Sequence, residues 1–175
     1  ANGYGCVLFP EGTSHNNSYM LRFRTGPMRT VLAAGALAAT SDKPLPVLIP
    51  LGLHFRQKEH FRTDVWVEYG KPIQVDSDDI PDNLIEAVGD GTWSEPPAES
   101  VFRLRDNLRE KLVPLSPDVN SWEEYRGLQL LGHVKGRLDG NPPKSWSHEV
   151  KLARNFREHF SDQQRSLDAD DLQPP

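Results

Sequence analysis

Apolar residues follow two patterns along this chain. Up to about residue 75 they come in short unbroken runs or strict alternation, and beyond residue 98 they recur every three or four positions. The runs around Cys6–Phe9 and Pro46–Leu53 read as strands, the second a central one buried on both faces. The first run stops at Pro10, which cannot donate to a sheet ladder. Thr63–Tyr69 alternates, with Val65 and Val67 on one face and Trp66 on the other, and predicts a further strand. Gly26-Pro27 opens a helix, Gly26 as N-cap and Pro27 in the first turn. Its apolar face is Val31, Leu32, Ala36 and Ala39, with Gly35 allowing close packing on a sheet, and the turn at Ser41-Asp42-Lys43-Pro44 ends it. His15–Tyr19 and His54–Phe61 read as polar connections. Strand, helix, strand, strand predicts an α/β layer whose first connection is a right-handed crossover.

After Ile73 the character changes. Residues 76–97 read as an acidic linker (Asp76, Asp78, Asp79, Asp82) holding one short helix, Asn83–Val88, stopped at Gly89. Residues 98–162 read as a helical extension. Val101, Leu104, Leu108 and Leu112 form one stripe, and Trp122, Tyr125, Leu128, Leu131, Val134 and Leu138 form a second, opened by a capping box of Ser121 and Glu124. A third helix covers about Ser145–Phe160, and residues 163–175 read as a disordered tail. There is no internal repeat.

Composition narrows the function classes. A net charge of −5 and a pI near 5.7 argue against a nucleic-acid binder relying on counterion release. Arg22, Arg24 and Arg29 nevertheless cluster after the first polar loop, which suits a phosphate-bearing ligand. The single cysteine, Cys6, excludes an intramolecular disulfide and reads as a buried, inert thiol in its strand. No apolar run approaches the ~18–20 residues of a membrane span, and the first residues lack the pattern of a signal peptide. The chain opens at Ala1 and enters a core strand within a few residues, which reads as a fragment or a processed product. His54, His60 and His133 lack metal-ligand spacing, so no metal is expected.

The candidate chemistry lies in Phe9-Pro10-Glu11-Gly12-Thr13-Ser14-His15. A strand end delivers a carboxylate, a glycine that lets backbone approach a ligand, and two hydroxyl donors. This segment resembles the Phe-Pro-Glu-Gly-Thr-Arg-Ser block of the glycerolipid acyltransferases. Leu21-Arg22-Phe23-Arg24-Thr25-Gly26 resembles that family's Phe-Lys-x-Gly step, with Arg24 in place of the lysine. Leu45–Leu51 resembles its fourth block, and Tyr69-Gly70-Lys71-Pro72-Ile73 its closing Gly-x-Pro-Ile. The resemblance spans about residues 3–75.

The resemblance implies a fold and a reaction. Residues 1–75 would be the C-terminal part of an acyltransferase α/β domain, and the parent enzyme would move an acyl chain from acyl-CoA or acyl-carrier protein to a hydroxyl of glycerol-3-phosphate or a lysophospholipid. No other cofactor is implied. Substrate-binding residues would be Glu11, Gly12, Thr13, Ser14, Arg24 and Arg22, with Pro50 on the acyl side of the cleft. Glu11 would act by fixing an arginine or the loop's amides, because a carboxylate does not itself bind phosphate. Ser14 stands where the common block has arginine, and Arg24 and Arg22 are the substitutes. The family's base is a histidine in an upstream His-x-x-x-x-Asp block, and no histidine here has an aspartate five residues on; His54 with Glu59 comes nearest. No catalytic residue is therefore assigned, the base being expected before residue 1, and the chain alone is expected to be inactive. The parent would be membrane-associated through segments outside this chain. The alternative is a non-catalytic, acyltransferase-like scaffold whose helices bind a partner.

Overall fold

The computed structural model describes residues 5–41 and 43–170, with side chains as far as Ser161. Asp42, of the turn expected at Ser41-Asp42-Lys43-Pro44, and residues 171–175 of the expected tail lie outside the described residues. The chain forms two compact units. The first takes the chain up to Asn16, Met20–Gly52 and Tyr69–Leu115; the second takes Asn17–Tyr19, Leu53–Glu68 and the chain from Ser116.

In the first unit, α1 (Gly26–Thr40) starts one residue earlier than the sequence predicts, with Thr25 rather than Gly26 as N-cap. Met28, Leu32 and Ala36 are buried and Ala39 is exposed, so the buried stripe lies slightly round the helix from the predicted one. Gly35 does meet a close neighbour, but that neighbour is Ile80. A Cβ at position 35 would lie 2.7 Å from the Ile80 Cδ1. Ile80 precedes α2 (Asp82–Gly89), whose Leu84 is fully buried, and α3 (Ala98–Leu112) adds Val101, Leu104, Leu108 and Leu112 to the same core. Residues 76–112 therefore belong to the body that holds α1. The acidic positions that suggested a linker are the solvent side of these elements, and their apolar positions close the core.

The strands depart furthest from expectation. The described residues hold β1 (Val47–Leu48), β2 (Leu51–Phe55), β3 (Val65–Tyr69) and β4 (Ile73–Gln74), in two separate two-stranded sheets, β1 with β4 and β2 with β3. The single buried strand expected over Pro46–Leu53 is broken. Pro50 has no N–H for a ladder, β1 ends before it, and β2 begins after it in a different sheet. Each short strand has one partner, so Val47, Ile49 and Leu53 are exposed rather than covered on both faces. β1 runs antiparallel to β4, Val47 opposite Gln74 and Leu48 opposite Ile73.

No strand forms at residues 5–9. No described strand lies beside them, so their backbone has no ladder partner, and Val7 and Phe9 are 72% and 71% exposed. The crossover expected from that strand is accordingly not seen. Cys6, expected to be buried, is exposed for the same reason.

The second unit packs α4 (Trp122–Leu138) against α5 (Trp146–Asp170), around Val119, Leu128 and Ala153. α5 runs past Phe160, where the sequence pattern ended it, so residues 163–170 of the expected disordered tail are helical. Ser121 caps α4 by accepting the Glu124 N–H at 3.1 Å, but the Glu124 carboxylate accepts from the backbone and side chain of Asn120 instead of closing the box on Ser121. Of the predicted α4 stripe only Leu128 is fully buried; Leu131, Val134 and Leu138 face solvent. Gly132 is the reason. A Cβ there would lie 2.9 Å from the Leu152 Cβ, so α5 seats on the glycine side of α4 and leaves the later leucines outside.

Candidate functional site

The polar loop folds on itself and on the segment after it. The Gly12 N–H donates to the Phe9 carbonyl at 3.1 Å, making a tight turn that puts Gly12 at φ +68°. The Arg24 N–H donates to the Pro10 carbonyl at 2.7 Å, which lays residues 21–24 beside the turn. Glu11 completes the arrangement. One carboxylate oxygen, Oε2, accepts from the Leu21 N–H at 2.6 Å and from the His15 Nε2–H at 2.8 Å. A carboxylate only accepts, so Nε2 is the protonated nitrogen in this contact. Glu11 thus holds a backbone amide and a ring in place, and His15 turns a proton toward an acceptor rather than an open lone pair.

Around this brace the other predicted residues are distributed unevenly. Gly12 and Arg24 are in contact: a Cβ at position 12 would lie 3.0 Å from the Arg24 Cγ. Thr13 and Ser14 are exposed, as are the side chains of Arg22 and Arg24. Arg29, the third cation of the sequence cluster, is instead ion-paired with Glu95. Arg109, on α3, donates to the Leu21 carbonyl at 3.0 Å and lies over the Phe23 ring at 5.5 Å. Pro50 is fully buried, its carbonyl accepting the Gly70 N–H at 2.9 Å, with Gly70 in turn against Leu115. The structure brings together Glu11, Gly12 and Arg24 and adds His15, Leu21 and Arg109. Arg109 sits 88 residues from its partner, and no local pattern marks it.

A second polar cluster lies in the other unit, between the β2–β3 hairpin and α5. His54 is buried; its Nε2 donates to Glu68 at 3.2 Å, and Arg154 meets both Glu68 oxygens at 2.9 and 2.5 Å. The His54 ring stacks on Trp66, 4.9 Å between centroids, and its carbonyl accepts the Trp146 Nε1–H at 2.8 Å. Burial lowers the His54 pKa below its usual 6.5, outweighing the pull of Glu68. Glu68 is held below its usual 4.5: burial pushes it up, and the Arg154 hydrogen bonds and charge win. The adjoining small cavity is lined by Tyr125, whose hydroxyl pKa burial raises to about 12, and by Arg157, which donates to the Ser116 and Pro117 carbonyls. With its ring stacked and its donor engaged, His54 serves packing. The carboxylate that meets His54 is Glu68, across the hairpin, and not the Glu59 five residues on.

The chain is 30% identical over 139 residues to glycerol-3-phosphate O-acyltransferase 2 of Saccharomyces cerevisiae, a match covering 77% of this chain and 17% of that protein. It is 24% identical over 127 residues to glycerol-3-phosphate O-acyltransferase 1 of the same yeast, covering 72% of this chain and 15% of that protein. This similarity supports a glycerolipid acyltransferase relationship. No family model matches the chain, and no solved structure matches it.

Proposed function

We propose that this chain is the acceptor-binding portion of a glycerolipid O-acyltransferase that acylates glycerol-3-phosphate or a related lysophospholipid. The observation that carries the reading is the 30% identity to the yeast glycerol-3-phosphate O-acyltransferase along 77% of the chain. The loop geometry fits it. Glu11 braces Leu21 and His15, and this holds Arg24 beside the Gly12 turn. The guanidinium groups of Arg24 and Arg22, with the hydroxyls of Thr13 and Ser14, then face solvent where an acceptor phosphate can meet them.

In the reaction, the acceptor hydroxyl oxygen attacks the thioester carbonyl of acyl-CoA or acyl-carrier protein. The new C–O bond forms as the C–S bond breaks; the thiol leaves and the hydroxyl proton passes to a base. No histidine within the 175 residues has an aspartate five positions on. In this reading the base comes from sequence outside them, and the chain alone transfers no acyl group. The test is calorimetric titration with glycerol-3-phosphate beside an acyl-CoA transfer assay. Binding that weakens about tenfold in Arg24→Gln, without turnover, is the expected result. Turnover lost in Glu11→Ala would overturn the assignment of the base, and no phosphate binding would overturn the acceptor site.

A non-catalytic, partner-binding role is favoured by one observation, the exposed Leu130, Leu131, Val134 and Leu138 along α4. Protection of α4 from proteolysis by a protein partner, with none at Arg22–Arg29 by glycerol-3-phosphate, would select it.

A further inference from the structure

The β2–β3 hairpin has its polarity inverted. Its covered face carries His54, Trp66 and Glu68, engaged with Trp146 and Arg154 of α5. Its outer face carries Leu53, Phe55, Val65 and Val67, each more than two-fifths exposed. A two-stranded ribbon that faces water is expected to show the opposite alternation. The connecting turn is stranger still. Phe61 at its tip is 89% exposed, and Arg62 beside it takes a left-handed backbone at φ 60°, its guanidinium 5.3 Å from the Phe61 ring centroid. Lys58, His60 and Arg62 stand in the turn against Glu59, in a protein of net charge −5. The base of the hairpin is anchored: Arg56 meets Asp64 at 3.1 Å and Glu149 at 2.6 Å, and Trp146 lies beneath its guanidinium.

We propose that the tip and outer face of this hairpin dock on an anionic phospholipid surface. Phe61 enters the boundary between headgroups and acyl chains, the ribbon's aliphatic face follows it, and Lys58 and Arg62 meet the lipid phosphates. An aromatic residue among cations, joined to an apolar face, is the combination that binds an interface rather than spans it. Among the described residues no helix is long and apolar enough to cross a membrane. A second copy of the chain suits this face less well, because it would bring one cationic turn against another. The inference is independent of Glu11–Ser14, Arg22 and Arg24, which belong to the other unit.

The test is flotation of the 175-residue chain with vesicles of phosphatidylcholine alone and of phosphatidylcholine with phosphatidylserine. Binding is expected to the mixed vesicles and to be at least about tenfold weaker to the neutral ones. Phe61→Ser is expected to lower it about tenfold and Arg62→Gln about fivefold. Leu131→Ser, on the exposed face of α4, is expected to leave it unchanged. Circular dichroism of each variant checks that the fold survives. Three outcomes would overturn the proposal: no flotation with either vesicle, loss in Leu131→Ser but not in Phe61→Ser, or a dimer that Phe61→Ser dissolves without any lipid binding. If glycerol-3-phosphate still binds in that event, the acceptor reading stands and the docking surface alone falls.

Discussion

The Glu11 carboxylate accepts the Leu21 backbone N–H at 2.6 Å, across ten residues that contain the whole polar loop. The same oxygen accepts a hydrogen bond from the His15 ring N–H, so a single atom ties the start, the middle and the end of the loop. Replacing Glu11 with alanine removes a charged acceptor from two donors at once. The expected loss of stability is about 1–3 kcal/mol, read from urea unfolding. The Leu21 amide should also exchange faster with deuterium, whereas Glu11→Gln, which keeps an acceptor oxygen, should recover part of both effects. An unchanged Leu21 exchange rate in Glu11→Ala would show that the brace is not formed in solution.

Gly12 is required by its backbone as well as its size. At φ +68° a side chain is strained, and the added Cβ would press on the Arg24 stem at 3.0 Å. Gly12→Ala should cost about 1–2 kcal/mol and displace Arg24, so weaker glycerol-3-phosphate binding should accompany the lower stability. Gly91, also at positive φ but with open space around it, is the control. Gly91→Ala should show the stability loss without the binding loss.

Arg154 holds Glu68 by both oxygens, and with Glu68 the buried His54. Arg154→Leu keeps the stem's packing and leaves the Glu68 carboxylate with His54 alone. The expected cost is about 2 kcal/mol, because the pair is only partly shielded from water. The Glu68→Gln and Arg154→Leu double variant should cost less than the sum of the two singles, the mark of direct coupling.

Acid should destabilise this chain earlier than carboxylates alone dictate. His54 has a folded pKa below its unfolded value of 6.5, because burial disfavours the imidazolium. Above pH 6.5 both states hold it neutral and its contribution is intact. As the pH falls through 6.5 the unfolded state takes up the proton first, and stability declines until the lower folded pKa is reached. Glu68, also lowered, adds a second decline as the pH falls through 4.5. The melting temperature should therefore drop between pH 7 and 5, and His54→Gln should flatten that part of the profile. A profile unchanged in His54→Gln would remove the assignment.

The helices were legible because their signals are local. Val101, Leu104, Leu108 and Leu112 repeat at helical spacing and are all buried, and the Ser121 cap forms as the sequence indicates. The strands were not, because a strand's burial depends on what lies beside it. The run at Cys6–Phe9 has the composition of a core strand and no described neighbour, and Pro50 splits what composition alone joins. The loop was half legible. The resemblance and the strand-end pattern singled out Glu11, Gly12 and Arg24, which lie together in the structure. Glu11 was expected to fix an arginine or backbone amides, and the amide it holds is that of Leu21; nothing local announced that Glu95 would take Arg29 or that Glu68 would meet His54.

Leu21 gives its N–H to Glu11 and its carbonyl to Arg109 of α3, so one residue is shared between the loop and a helix that begins 77 positions later. An anion that tightened the loop would also restrain the Leu21 carbonyl on which Arg109 donates, so a substitution at Arg109 is expected to alter that anion's affinity. α3 reaches the loop through a single main-chain carbonyl, and Arg109 is where a substitution far along the chain is expected to be felt at Leu21.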